Sequence, residues 1–241
     1  MALFAYQRRV QRLLRDTKTQ VINPRDLVDY INEARVLLCG AAECLRVMGS
    51  LTLTIGSNGP YPFSGIAIPN AATLGIAGVL SVREAWYQVA SGQKRITPRG
   101  FEWFGLYELN TPVPVSGPPR TMAQFGQGVL GSLYFSPVPD LAYVVPLDCT
   151  AYPAPLALDT DPEAIPALWT YAVPYYATYL AMLSMETGGA TAEADKMLKR
   201  FNDYVALARG SANSSTLPFQ NPQSPDVASM EAFGQPQGGG K

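Results

Sequence analysis

The sequence contains no histidine. Histidine is the most frequent general base in enzymes, a common metal ligand and the second member of serine and cysteine triads. A P-loop, a CxxC pair and a GxSxG elbow are missing as well. Only carboxylate or lysine chemistry is left, so we predict that the protein is not an enzyme and carries no catalytic residue, cofactor or metal site.

Cysteine is scarce too, with only Cys39, Cys44 and Cys149. Three cysteines cannot form a disulfide framework. Cys39 and Cys44 lie five residues apart on a predicted helix, so we expect their side chains to point in different directions. The sequence therefore predicts buried thiols in a protein made in a reducing compartment.

Charged residues make up only 15% of the chain, and the net charge is −1. The overall charge does not indicate binding to nucleic acid or to an anionic membrane, and we interpret the low charge as a sign that partner subunits cover part of the surface. The distribution is uneven. The first 18 residues are rich in arginine, whereas residues 121–195 contain no basic residue and eight acidic ones.

One uncharged run, residues 165–183, has the length of a membrane span. It also contains Pro166, Pro174, four tyrosines and two threonines, which make it poorly apolar for a span. We therefore predict a buried helix and no membrane partner.

Four helices are predicted from apolar spacing and from end signals. The first runs over residues 3–15, and the second begins at the Asn23 cap with Pro24 and reaches about Leu45. The third follows Asp161, bends at Pro174 and ends near residue 185, and the fourth runs from about 191 to Gly210. Residues 1–48 and 161–210 are thus predicted to form an antiparallel four-helix bundle.

Residues 49–160 hold 13 of the 21 prolines and change to strand patterns. Leu51, Leu53 and Ile55 alternate with polar residues, and a hairpin loop is expected at residues 91–93. Further strands are predicted at residues 66–68, 79–89, 95–98, 132–136 and 141–148. The predicted fold class is therefore α+β: the helical bundle with an inserted, proline-rich, antiparallel β-sandwich or barrel domain.

Residues 211–241 form a polar C-terminal arm that cannot offset its own ordering entropy. It is either a flexible terminus or a segment that orders against a partner. The second interpretation is favoured because apolar residues recur at wide intervals and could serve as anchors on that partner. They are Leu217, Phe219, Val227, Met230 and Phe233.

Two further motifs have simple structural interpretations. Gly126–Gly131 matches the dinucleotide fingerprint as text, but a strand pattern follows it where a helix is required, so it predicts a turn. The acidic cluster Asp159, Asp161 and Glu163 lacks the rest of a calcium loop and precedes a predicted helix, which favours helix capping.

Three stretches resemble podophage head-to-tail adaptors of the tail-tubular-protein-A-like kind. Asp26–Arg35 (DLVDYINEAR) resembles a helix near their start, Leu133–Asp140 (LYFSPVPD) resembles a strand and turn of their β domain, and Ile165–Leu180 is similar to their third helix. The resemblance covers residues 5–210 and leaves the arm uncovered.

This resemblance implies a structural, ring-forming connector, a dodecamer that joins the portal protein to the tail nozzle, with tail fibre proteins nearby. Genomic DNA would pass through its channel with transient, non-specific contact during ejection. It would be a virion component at the portal vertex between head and tail. We further predict that Arg8, Arg12 and Arg15 bind the acidic 140–195 region of a neighbouring subunit, or the portal.

Three alternatives stay open. Another neck or stopper ring protein would share the helices and dock on a different partner. A tail-associated wall-degrading enzyme would need two carboxyl groups in a cleft, and a membrane-active ejection protein would use residues 165–183.

Overall fold

The fold is taken from a computed structural model that describes residues 3–15, 22–89, 92–109, 115–185 and 190–214. These residues form five α-helices: α1 (Leu3–Leu14), α2 (Pro24–Ala42), α3 (Phe101–Phe104), α4 (Val173–Ser184) and α5 (Ala190–Ser214). They also form seven strands: β1 (Arg46–Thr52), β2 (Tyr61–Pro62), β3 (Ile76–Val89), β4 (Gly92–Arg99), β5 (Thr121–Phe125), β6 (Ser132–Ser136) and β7 (Val144–Pro153).

Helix α2 begins where the sequence predicts. The Asn23 side chain accepts a hydrogen bond from the Arg25 N–H at 3.0 Å, and Pro24 occupies the first turn. The helix ends earlier than predicted, at Ala42, because Glu43 adopts a left-handed conformation with φ 51°. The Glu43 N–H bonds the Cys39 carbonyl at 3.0 Å, which closes the last turn.

The predicted antiparallel four-helix bundle is wrong. The region expected to form the third helix starts with turns, and α4 begins only at Val173. Pro162 and Pro166 lack the N–H that a continuous helix would need, whereas Pro174 lies in the first turn of α4, where no such bond is made. Pro174 therefore starts a helix and does not bend one, and α5 continues through Gly210 to Ser214.

The predicted antiparallel sandwich or barrel is also corrected. The strands form one seven-stranded mixed sheet in the order β1-β7-β3-β4-β5-β6-β2, in which β4 and β5 are parallel. The chain runs through α3 between these two strands, and such a crossover returns it in the same direction. Strand β6 and the β3–β4 hairpin confirm their predictions, whereas residues 66–68 provide only a single bridge from Ala67 to Ser50.

Two hydrophobic clusters share strand β7. One is formed by α1, α2, α4 and α5, and Ala151 of β7 belongs to it. The other lies within the sheet and includes Leu147, Cys149 and Phe135. Strand β7 thus joins the helices to the sheet, and the division into domains at residues 49 and 160 stays a prediction.

Candidate interaction surfaces

The predicted arginines Arg8, Arg12 and Arg15 lie on the exposed side of α1 and just after its end. The opposite side of the helix buries Leu3, Tyr6 and Val10. The Arg8 guanidinium lies over the exposed Phe4 ring, 4.8 Å from its centre. The structure therefore brings the three predicted arginines together on one basic surface beside an aromatic ring.

Helix α1 is held in place by acidic groups from the segment before α4. The Phe4 N–H donates to the Asp159 carboxylate at 2.8 Å, and the Tyr6 hydroxyl donates to Glu163 at 2.6 Å. Burial, together with the nearby Glu163 carboxylate, raises the pKa of Tyr6 far above its ordinary value. These contacts fix the orientation of α1 and hence of its exposed arginines.

The same Glu163 forms a buried ion pair with Arg35 of α2. The closest distance is 2.9 Å, and the two side chains are only 1% and 7% exposed. Arg35 also donates to the Ala154 carbonyl at 2.7 Å, and Asn32 bonds both the N–H and the carbonyl of Leu156. Because Tyr6 of α1 and Arg35 of α2 both bond the Glu163 carboxylate, the two helices are positioned against one polar network.

Acidic groups between residues 140 and 195 have partners within the chain. Asp148 pairs with Arg46, Glu193 pairs with Lys196, and Asp140 accepts from the Tyr143 hydroxyl. Asp161 accepts from the N–H groups of residues 157 and 158, which lowers its pKa. Asp161 thus caps a turn and not the start of a helix, which corrects the capping prediction. Binding of the α1 arginines to this region stays a prediction.

The expectation that Cys39 and Cys44 point apart is wrong. The left-handed Glu43 ends α2 and turns the chain, so that the two thiols interact. The Cys44 thiol and burial raise the pKa of Cys39, while the Cys39 thiol lowers that of Cys44. Among the described residues all three cysteines are free of disulfides. A non-glycine residue in the left-handed region gave no sequence signal for this turn.

Exposed apolar side chains that the sequence patterns did not single out lie on and after α3 and on the turn before β6. Val129 and Leu130 are 78% and 87% exposed, and Trp103 contacts Tyr107 with ring centres 5.4 Å apart. The turn contains Gly126 and Gly128 at positive φ and leads into β6, which confirms the prediction that the glycine motif forms a turn before a strand. Exposed apolar patches of this kind are typical of surfaces that bind other proteins.

Within the residues that the structure describes, no helix has the length and hydrophobicity to cross a membrane. No group of three or more histidine, cysteine, aspartate or glutamate side chains in the same part of the chain could hold a metal ion. The predicted arm anchors Leu217, Phe219, Val227, Met230 and Phe233 lie outside the described residues.

A basic helix and an exposed apolar turn, both held on a firmly packed framework, define a protein with surfaces suited to binding partners. The sequence matches the SU10 adaptor protein family over residues 1–223, and the chain belongs to this family. Its role is therefore that of a structural phage adaptor. A search of curated proteins found no match.

Proposed function

We propose that the chain forms a ring that joins the portal protein to the tail nozzle, at the portal vertex between head and tail. The family match over residues 1–223 is the observation that carries this proposal, because an adaptor must bind at least two virion components. The tail-tubular-protein-A-like subtype and a twelve-membered ring are part of the proposal. Genomic DNA would pass through the central channel with transient, non-specific contact.

The described surfaces support this proposal by their separation. The helix that carries the basic side packs into the helical cluster, and the apolar turn leads into β6, whose Leu133 and Phe135 belong to the sheet cluster, so one subunit offers distinct surfaces to different partners. The C-terminal arm would add a further portal contact through its apolar anchors. Tail nozzle and tail fibre proteins are the proposed lower partners.

The test measures the mass of the full-length chain by native mass spectrometry, alone and with the portal protein of the same phage. We expect a closed oligomer bound to the portal, formed either alone or only on the portal. A chain that stays monomeric and never binds the portal would overturn the proposal.

The arm contact is tested in the full chain with Phe219→Ala and Phe233→Ala together. We expect at least about tenfold weaker portal binding, since buried aromatic anchors carry much of the energy of protein interfaces. Gln220→Ala with Gln235→Ala is the matched control and should bind normally. Equal binding by both variants would remove the arm from the proposed interface.

A further inference from the structure

Helix α1 carries a single outward stripe with an aromatic residue at one end and positive charge along the rest. Its members are all exposed, and successive members are four, four and three residues apart: Phe4, Arg8, Arg12 and Arg15. At about 100° per residue Phe4, Arg8 and Arg12 share one side of the helix over roughly 12 Å, and Arg15 follows directly after the helix end.

Helix α2 carries an outward stripe of the opposite charge. Its exposed members, taken from the C-terminal end, are also four, four and three residues apart: Leu37, Glu33, Asp29 and Asp26. The apolar end, with exposed Val36 beside Leu37, opens into a groove of about 540 Å³. Pro155 and Tyr176 line the far side of this groove.

The two stripes match when the helices run antiparallel. We infer that α1 of one copy packs against α2 of the next copy, with Phe4 on Leu37 at the groove. In this register Arg8 faces Glu33, Arg12 faces Asp29 and Arg15 faces Asp26. The inference rests on the proposed ring and names the two surfaces that join its subunits.

The charges of both stripes are available for such a contact. None of the six forms an ion pair with another residue of the described ranges, where the ion pairs involve Arg35, Arg46, Arg83, Arg95 and Lys196. Packed helices lie 8–10 Å apart, a distance that a long arginine can bridge to a short carboxylate. In a parallel arrangement Phe4 would face Asp26 and Arg15 would face Leu37, so each apolar end would face a charge, which disfavours that arrangement.

The contact joins two different surfaces, so a chain of bound copies keeps one free surface of each kind, one at each of its ends. Head-to-tail association of this sort continues until it closes a ring or extends as an open filament. The buried Arg35–Glu163–Tyr6 network supports the contact, because it holds both helices in fixed orientations. A preformed pair of surfaces loses little conformational entropy on association.

The experiment uses two charge-reversed full-length variants. Arg8→Glu with Arg12→Glu makes both stripes acidic, and Asp29→Arg with Glu33→Arg makes both basic. We expect each variant alone to associate at least about tenfold more weakly than the parent chain, because like charges then face each other. Mixing the two should restore oligomers in which the variants alternate, as native mass spectrometry would show from their different masses.

Matched controls reverse charges on the exposed side of α5. Lys199→Glu with Arg209→Glu, and separately the single reversal Asp203→Arg, should associate like the parent chain. As a second readout, Phe4→Cys and Leu37→Cys chains should cross-link on oxidation, whereas Phe4→Cys and the exposed position Leu207→Cys should not.

The outcomes separate the inference from the proposed function. If the parent chain forms rings, alone or on the portal, and both reversed variants still do so, the inference is overturned and the ring stands. Loss of association that mixing does not restore also contradicts the inference. If the parent chain neither self-associates nor binds the portal, the proposed function fails.

Discussion

The helical cluster and the sheet cluster are held together by different physics. The helices enclose an arginine, a glutamate and a tyrosine that bond one another, so distant segments meet through directional contacts. The sheet cluster is built of apolar side chains and edge-on aromatic rings such as Tyr61 and Phe135, 5.7 Å apart. A polar network specifies orientation, which suits helices that present charged stripes, whereas apolar packing tolerates small shifts.

The largest expected effect comes from a substitution in the polar network of the helical cluster. Glu163→Ala leaves the buried Arg35 without its counter-ion, which should lower the free energy of unfolding by about 3–5 kcal/mol. Urea unfolding followed by circular dichroism measures it. The double variant Arg35→Met with Glu163→Leu removes both charges and should recover most of the loss. A loss below about 1 kcal/mol for Glu163→Ala would contradict the role given to the network.

The next largest effect comes from a substitution in the sheet cluster. Leu133→Ala in β6 removes a fully buried side chain and should cost about 2–5 kcal/mol, because the surrounding residues cannot collapse into the cavity. Leu130→Ala, three residues earlier on the exposed turn, is the control and should change stability by less than about 0.5 kcal/mol. Equal losses in both variants would mean that the sheet cluster does not exclude water at Leu133.

The same comparison explains what the sequence could predict. The start of α2 and strand β6 follow from local signals, the Asn23 cap with Pro24 and a short alternating run, and both form as expected. The start of α4 was missed because three prolines, at positions 162, 166 and 174, are each acceptable in a first helical turn. Tertiary packing decides among them.

The candidate surfaces, too, could be predicted only in part from the sequence. The arginine spacing on α1 was visible in the sequence, and so was the acidic spacing on α2. Their match depended on knowing which sides of the helices are buried, and that follows from partners more than 100 residues away, such as Glu163 for Arg35. The parallel pairing of β4 with β5 has no local signature either.

A smaller effect tests the polar network of the helical cluster through the pH dependence of its stability. Tyr6→Phe removes one hydrogen bond to a carboxylate, which should cost about 1.5–3 kcal/mol at pH 7. Because the pKa of Tyr6 is raised in the folded chain, its contribution is fully present below the ordinary value of 10.0 and is lost as the pH rises further. The difference in urea midpoint between the parent chain and the variant should therefore shrink above pH 10. A constant difference up to pH 11 would argue against a protonated, buried Tyr6.

The smallest effect concerns the contact that caps the start of α1. The Asp159 carboxylate accepts the Phe4 N–H and so acts as a helix cap supplied from 155 residues away. Asp159→Ala should cost about 1 kcal/mol in urea unfolding, as the loss of a helix cap does. Asp159→Asn keeps an acceptor oxygen and should recover most of that loss. If the negative charge of Asp159 and not its hydrogen bond were what stabilised α1, the alanine and asparagine variants would lose equal stability. Because this cap lies beside Phe4, fraying of α1 in the alanine variant should also weaken whatever contact the basic stripe makes. Equal stability of parent and alanine variant would show that α1 is held by Tyr6 and its apolar side without help from Asp159.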